Sequence, residues 1–232
     1  MPNNTAKLTV NPGLGAPAPA PAPERARPLA ELTAPGRFVE LCGEAQTTAA
    51  VSVLAAAQRE GETAVWIQLA RGDLFPPDLA SAGVDVEALI VVHVPERASQ
   101  GSCSYGGPSG QCRAAELLLR SGGFGLVILD FCRAEPRGST AWQGRLLGLA
   151  RQHETRLVVL RERSDQLAAS SLGPLTGLRI ASTIERCEQA DDPPGFVPQT
   201  GWFVLRHEVL KNKSGGPVEP ASTQLRGPWG FR

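Results

Sequence analysis

The sequence predicts an α/β fold: a mainly parallel β-sheet flanked by helices, with an antiparallel hairpin at one edge. Three observations predict it. From Gly36 onward, apolar β-compatible runs alternate with stretches whose apolar residues recur at helical spacing, the succession that builds a parallel sheet. Runs such as ALIVVHV (88–94) and GLVILDF (125–131) are mostly apolar, which suits a mainly parallel sheet covered on both faces. The last third then changes character. GLRIASTIER (177–186) and GWFVLRHEVL (201–210), joined by a Pro/Asp-rich loop, read as a long antiparallel pair.

The elements follow in order. Residues 1–34 contain NPGLGAPAPAPAPERARP, whose Ala-Pro repeats lack backbone donors and favour an extended spacer, so this tail is expected to be flexible; LTV (8–10) and RARPLAEL are weak signals for a short strand and a helical turn. The core domain is expected at 35–213. RFVELC (37–42) is a strand, and TTAAVSVLAAAQRE (47–60) carries Val51, Leu54, Ala55 and Gln58 on one helical stripe. TAVWIQL (63–69) is the next strand, followed by the Pro-marked loop DLFPPDL, a helical turn and ALIVVHV. ERASQGSCSYGGPSG (96–110) is Gly/Ser-rich without apolar period and reads as a mobile loop. Helices are expected at about 111–121 and 140–152, with strands at 125–131 and 155–161. Residues 214–232 read as a second flexible tail.

Bulk properties bound the function. The 232 residues suffice for one α/β domain with a sizeable core. Basic and acidic residues number 23 each, so no global field draws the chain to nucleic acid or an anionic membrane. Only Lys7, Lys211 and Lys213 among the basic residues are lysines. The five cysteines, Cys42, Cys103, Cys112, Cys132 and Cys187, are odd in number and widely spaced, which suits reduced thiols. No apolar run reaches the roughly 20 residues of a membrane span, and the start has no apolar signal core, so a soluble cytoplasmic protein without membrane contact is expected.

The segment VELCGEAQTTAAVSVLAAAQREG (39–61) has the strand, turn and helix of a phosphate-binding loop without its signature. A GxxxxGKS or GxxxxGKT loop places a second Gly and a Lys five and six residues after the first, so that amides wrap a phosphate and an ammonium reaches it. Counting from Gly43, those positions hold Thr48 and Ala49. Loss of the Lys removes several kcal/mol of charge stabilisation in a shielded site. ATP turnover is therefore not expected, and with the cysteines unpaired in motif and the histidines unclustered no catalytic residue, bound cofactor or metal is expected either; the chain is not expected to be an enzyme.

The phrases Gly36-Arg-Phe-Val-Glu40, Ala55-Ala-Ala-Gln-Arg-Glu-Gly61, Arg120-Ser-Gly122, Leu126-Val-Ile-Leu-Asp130 and Val209-Leu-Lys-Asn-Lys213 resemble bacterial RecA recombinases, in the same order over residues 36–213. The Pro-rich start, shortened loop and KNK sequence make the chain most similar to the ImuA group, RecA-like, SulA-related helpers of error-prone polymerases. The resemblance implies a RecA-like core whose nucleotide loop is degenerate at Gly43, Glu44, Ala45, Gln46, Thr47 and Thr48. Thr47 and Thr48 then fall on the hydroxyls that close that loop, and Gln46 stands at the phosphate lysine. Asp130 falls near the family's Mg²⁺, but with the loop degraded it is read as a carboxylate closing a strand and its turn. The catalytic carboxylate aligns with Gln111, Ser109 or Glu96, depending on where the Gly/Ser insertion is put.

The same resemblance implies partners: RecA, through Lys211 and Lys213, which match lysines that reach a neighbouring subunit's ATP, and an ImuB-type polymerase-like subunit of the translesion mutasome. Two lysines on an exposed edge strand are also ordinary solubilising charge. Arg161, Arg163 and Arg179 are candidate contacts for weak binding of single-stranded DNA, or a solvated face. Trp229 and Phe231 form a candidate partner motif in the tail. Cys103 and Cys112 share a loop without a paired motif and read as two thiols; His93, His153 and His207 form no cluster and read as packed or surface residues. The rival functions are a SulA-like inhibitor of cell division and a weak ATPase or single-stranded-DNA-binding RecA paralogue.

Overall fold

The computed structural model describes residues 29–72, 74–97, 105–136, 140–161, 172–186, 202–214 and 221–226. Among these residues eight strands form one sheet in the order β3-β2-β4-β5-β1-β6-β7-β8. They are β1 (Phe38–Cys42), β2 (Ala64–Leu69), β3 (Leu89–Val94), β4 (Leu126–Phe131), β5 (Arg156–Arg161), β6 (Leu178–Arg186), β7 (Trp202–Asn212) and β8 (Ala221–Arg226). All pairings from β3 to β6 are parallel. β6–β7 and β7–β8 are antiparallel. The expected α/β architecture with an antiparallel edge is thus present.

Helices cover both faces because side chains in each strand alternate between them. On one face lie α1 (Leu29–Leu32), α2 (Gln46–Arg59) and α3 (Pro76–Ser81), packed on Val39, Leu41, Trp66, Ile128 and Leu160. The other face carries α4 (Gly107–Ser121) and α5 (Ala141–Gln152) over Phe38, Ile67, Leu129, Phe131 and Val159. α2 presents Ala49, Ala50, Val53, Leu54 and Ala57 to the sheet. The alanines have high helix propensity and bring its axis close to the strands. Burial of Val53 and Leu54 stabilises the unit by roughly 1.5–3 kcal/mol each, with no ligand required. The helix stops at Gly61, whose φ of +80° is left-handed backbone that side chains disfavour.

Three boundaries differ from the sequence reading. Leu29 and Leu32 are buried against the α2 face, so the packed unit begins inside the segment expected to be a tail. α4 starts at Gly107, four residues inside the expected Gly/Ser loop, because Pro108 in its first turn is compatible with a helix N-terminus and lacks only a donor that would be unpaired there. Residues 221–226, expected within a flexible tail, pair antiparallel with the long β7, whose outer edge offers unpaired backbone groups. Among the described strands, β3 and β8 lie at the two edges. Among the described residues no helix is long and apolar enough to cross a membrane.

A charged cluster lies inside the sheet on the α5 side. Glu40, in the middle of β1, is completely buried. It sits directly opposite Arg179 of β6 in the parallel register, with Arg179 Nε 3.1 Å from its Oε1. Arg161, at the end of β5, donates from a terminal guanidinium nitrogen to the same oxygen at 3.0 Å. Arg161 also holds Glu135 bidentately, at 2.6 and 2.7 Å. Burial opposes the charge on Arg161, but the carboxylates of Glu135 and Glu40 more than offset it, so its pKa lies above the usual guanidinium value. The second Glu40 oxygen accepts the Leu172 amide at 3.2 Å, where the described chain resumes after β5.

Because both arginines are less than a tenth exposed, removing the carboxylate leaves two guanidiniums without their buried counter-charge. Glu40→Gln, almost isosteric, is expected to lower unfolding free energy by roughly 3–5 kcal/mol. Urea denaturation checks this as a lower midpoint at unchanged slope; a loss below about 1 kcal/mol would contradict it.

Candidate functional site

In open α/β sheets, ligands bind outside the carboxyl ends of strands where successive connections leave on opposite faces. Here α2 leaves β1 on one face and α5 leaves β4 on the other, with β5 between the two strands. The crevice at that point is bounded by the turn Gly43-Glu44-Ala45, the first turn of α2, and the end of β4 at Asp130–Cys132.

Three residues separate β1 from α2. Gly43 adopts φ +98°, and a Cβ there would stand 2.4 Å from the Ser182 carbonyl oxygen. Backbone conformation and contact with β6 both require glycine. The Ala45 amide, which in a phosphate nest would point at the anion, donates instead to Ser182 O at 3.1 Å, and Ala45 is 3% exposed. Glu44 is exposed, and its Oε1 lies 3.4 Å from the Ile184 amide. The turn is therefore stitched to β6, with a carboxylate on its outer side.

Gln46 spans the crevice: its Nε2 lies 3.4 Å from Cys132 Sγ, and its Oε1 is buried without a hydrogen-bond partner among the described residues. Thr47 and Thr48 are half-buried, and the Thr48 carbonyl accepts from Ser52 Oγ at 3.1 Å. Asp130 closes its own turn, with Oδ1 accepting the Cys132 amide at 3.0 Å. Its main-chain oxygen accepts from Gln111 Nε2 at 2.6 Å, and the same amide nitrogen lies 3.4 Å from the Ile67 carbonyl, tying α4 to the ends of β2 and β4. The cavity lined by Gln68, Gly72, Asp130 and Arg133 is about 10 Å³, room for one water. Ser109 stands in the first turn of α4, and Glu96 makes a loose, exposed pair with Arg71 at 3.7 Å.

The cationic candidates are arranged differently from the sequence reading. Arg161 and Arg179, expected to offer charge to single-stranded DNA, point inward to Glu40, because each lies on a strand beside β1 with its side chain on Glu40's face. Arg163 lies outside the described residues, as do Trp229, Phe231, Cys103 and Cys187. Lys211 is half-buried and donates to the Gly173 carbonyl at 3.1 Å; the more exposed Lys213 bonds the Pro174 carbonyl. Burial, with Lys213 and Arg179 nearby, lowers the Lys211 pKa. Burial also raises the thiol pKa values of Cys42 and Cys112, the latter to about 12, so neither is a ready thiolate.

The sequence reading did not foresee the role of Glu40, and it read His207 as a packed or surface residue without its partner. Glu40 was signalled by a lone acid within an otherwise apolar strand. His207 is 2% exposed on β7, its Nδ1 3.0 Å from the Oγ of Ser182, the residue whose carbonyl holds the turn. The contact with Ser182 carried no sequence signal, because Ser182 and His207 become opposite neighbours only through the β6–β7 register.

No protein-family model matches the chain, and no curated protein matches it. Among solved structures it is similar to the crystal structure of the RadB recombinase, at 16% sequence identity and a TM-score of 0.53, over 82% of this chain and 87% of that one. With the strand order above, this likeness gives the chain a RecA-like α/β fold.

Burial lowers the His207 pKa from the ordinary 6.5. The unfolded chain therefore protonates first as pH falls. Stability from the neutral imidazole is complete above about pH 6.5 and is lost as pH drops through the lower folded value. The melting temperature is expected to fall more steeply on acidification in the native chain than in His207→Gln, measured by circular dichroism. Identical pH profiles would contradict it.

Proposed function

We infer that this chain is a non-catalytic, cytoplasmic RecA-like accessory protein of SOS-induced translesion synthesis. It takes no nucleotide, bridges or caps RecA, and recruits an ImuB-type polymerase-like subunit, as the resemblance to the ImuA group implies. The observation that carries this reading is the turn after β1, whose Ala45 amide and Gly43 both lie against the Ser182 carbonyl.

Phosphoryl transfer is mostly positioning and charge neutralisation: amides converge on the phosphates, a lysine reaches them, and a carboxylate holds the metal. In this chain the amide faces β6, the lysine position is a glutamine bonded to Cys132, and Asp130 holds its own turn. A chain built this way works through its surface. Lys211 and Lys213 stand where β7 ends, and each carbonyl bond uses one of an ammonium's three donors, leaving others for a neighbour's phosphates. A contact of this kind on one side only caps a filament, since propagation needs both complementary faces.

Titration with a fluorescent ATP analogue and Mg²⁺ is expected to give no saturable binding in the micromolar range; Mg²⁺-dependent micromolar affinity would restore the enzyme reading. Separately, immobilised RecA–ATP filaments on single-stranded DNA are expected to retain the purified chain, and the double variant Lys211→Ala/Lys213→Ala is expected to be retained several-fold less. Equal retention would remove the lysines from the contact, and no retention of the native chain would remove RecA as partner.

A further inference from the structure

On the face opposite α2, the N-terminal halves of α4 and α5 border a groove of about 560 Å³. Its apolar wall is Trp142, 8% exposed and fixed by an edge contact to Phe131 at 5.7 Å and a tilted one to Phe38 at 5.9 Å. The buried Cys112 adjoins it. Tyr105, more than half exposed, forms the rim, with the Arg113 guanidinium 6.0 Å from its ring centroid.

The charges in this groove are unbalanced. One largely buried carboxylate, Glu116, is approached by Arg120 at 2.7 Å, Arg113 at 3.3 Å and Arg145 at 3.9 Å. One anion cannot neutralise three cations, so this set carries a surplus of two positive charges. Arg113 and Arg145 line the groove with much of their side chains exposed. The longer distances leave both guanidiniums with donors to offer, in the fork geometry that takes carboxylates in pairs.

We propose that this groove docks an acidic segment of a partner protein, seating one aromatic or large aliphatic side chain against Trp142 and placing flanking carboxylates on Arg113 and Arg145. Polypeptide fits better than nucleic acid. A single-stranded backbone needs cations strung along its path with stacking surfaces between them, whereas here the cations gather around one carboxylate beside an indole wall. Glu116 occupies part of the charge that an incoming acid would take, and so acts as an internal competitor. The proposal is independent of whether the turn after β1 holds nucleotide, since the groove lies on the other side of the sheet.

The test is fluorescence anisotropy of the full chain with a labelled peptide, Asp-Glu-Asp-Phe-Glu-Asp-Leu, at two salt concentrations. Salt-sensitive binding is expected, weakened ~tenfold by Arg145→Glu and strengthened by Glu116→Gln, which removes the competing anion while keeping its shape. Replacing the peptide's Phe by Ala is expected to weaken binding, and a basic peptide of equal length is expected not to bind. Arg145→Ala, at a half-exposed position, serves if the reversal unfolds the chain, as thermal melts report. Unchanged affinity in both Arg145 variants, no gain with Glu116→Gln, or tighter binding of an oligothymidylate that displaces the peptide would each overturn the proposal.

Discussion

A carboxylate buried in the middle of a sheet is a demanding constraint, because the ion must be matched by opposite charge at bonding distance or destabilise the fold by several kcal/mol. Glu40 meets it with two guanidiniums from the strands on either side of β1. That requirement fixes more than one contact. It sets the register of β1 against β6, draws in the end of β5 with Glu135, and holds the Leu172 amide where the chain returns towards β6. A one-residue slip of β1 would place Glu40 on the α2 face against Val53 and Leu54 and take the buried carboxylate away from both arginines, leaving Arg161 with Glu135 at its partly exposed end.

The segment after Leu172 is held from several sides. Gln143 of α5 bonds the Leu172 carbonyl, Lys211 that of Gly173, and Lys213 that of Pro174. The Gly177 amide donates to Phe38 O, and the Lys213 amide to Gly177 O. Residues that look ligand-directed in the sequence are thus also structural staples, and their positive charge is partly engaged within the chain. The turn after β1 follows the same logic: Ser182 receives the Ala45 amide through its carbonyl while its hydroxyl contacts His207. β6 therefore supports the turn from below with protein groups.

The two faces of the sheet have separate tasks. On the α2 face, small residues and the short turn give close packing and a crevice bridged by Gln46 and Cys132. On the α4–α5 face, the same sheet carries an open groove with an aromatic wall and surplus positive charge. The sheet carries this division on two apolar layers, one on each face.

Local pattern alone determined the alternation of strands and helices, the antiparallel pair, and the absence of a phosphate-loop signature, because apolar period, glycine position and motif spacing are properties of neighbouring residues. The reading of Asp130 as a turn-closing carboxylate was legible for the same reason. Residues 221–226 were not, since a polar segment becomes a strand only when an open edge such as that of β7 lies beside it. Nor were the roles of the charges. Arg161 is 121 residues from Glu40 in the chain, and only the strand order 5-1-6 brings it and Arg179 to one carboxylate. Whether an arginine faces solvent, a ligand or a buried acid depends on which strands become neighbours, and that was decided by tertiary structure.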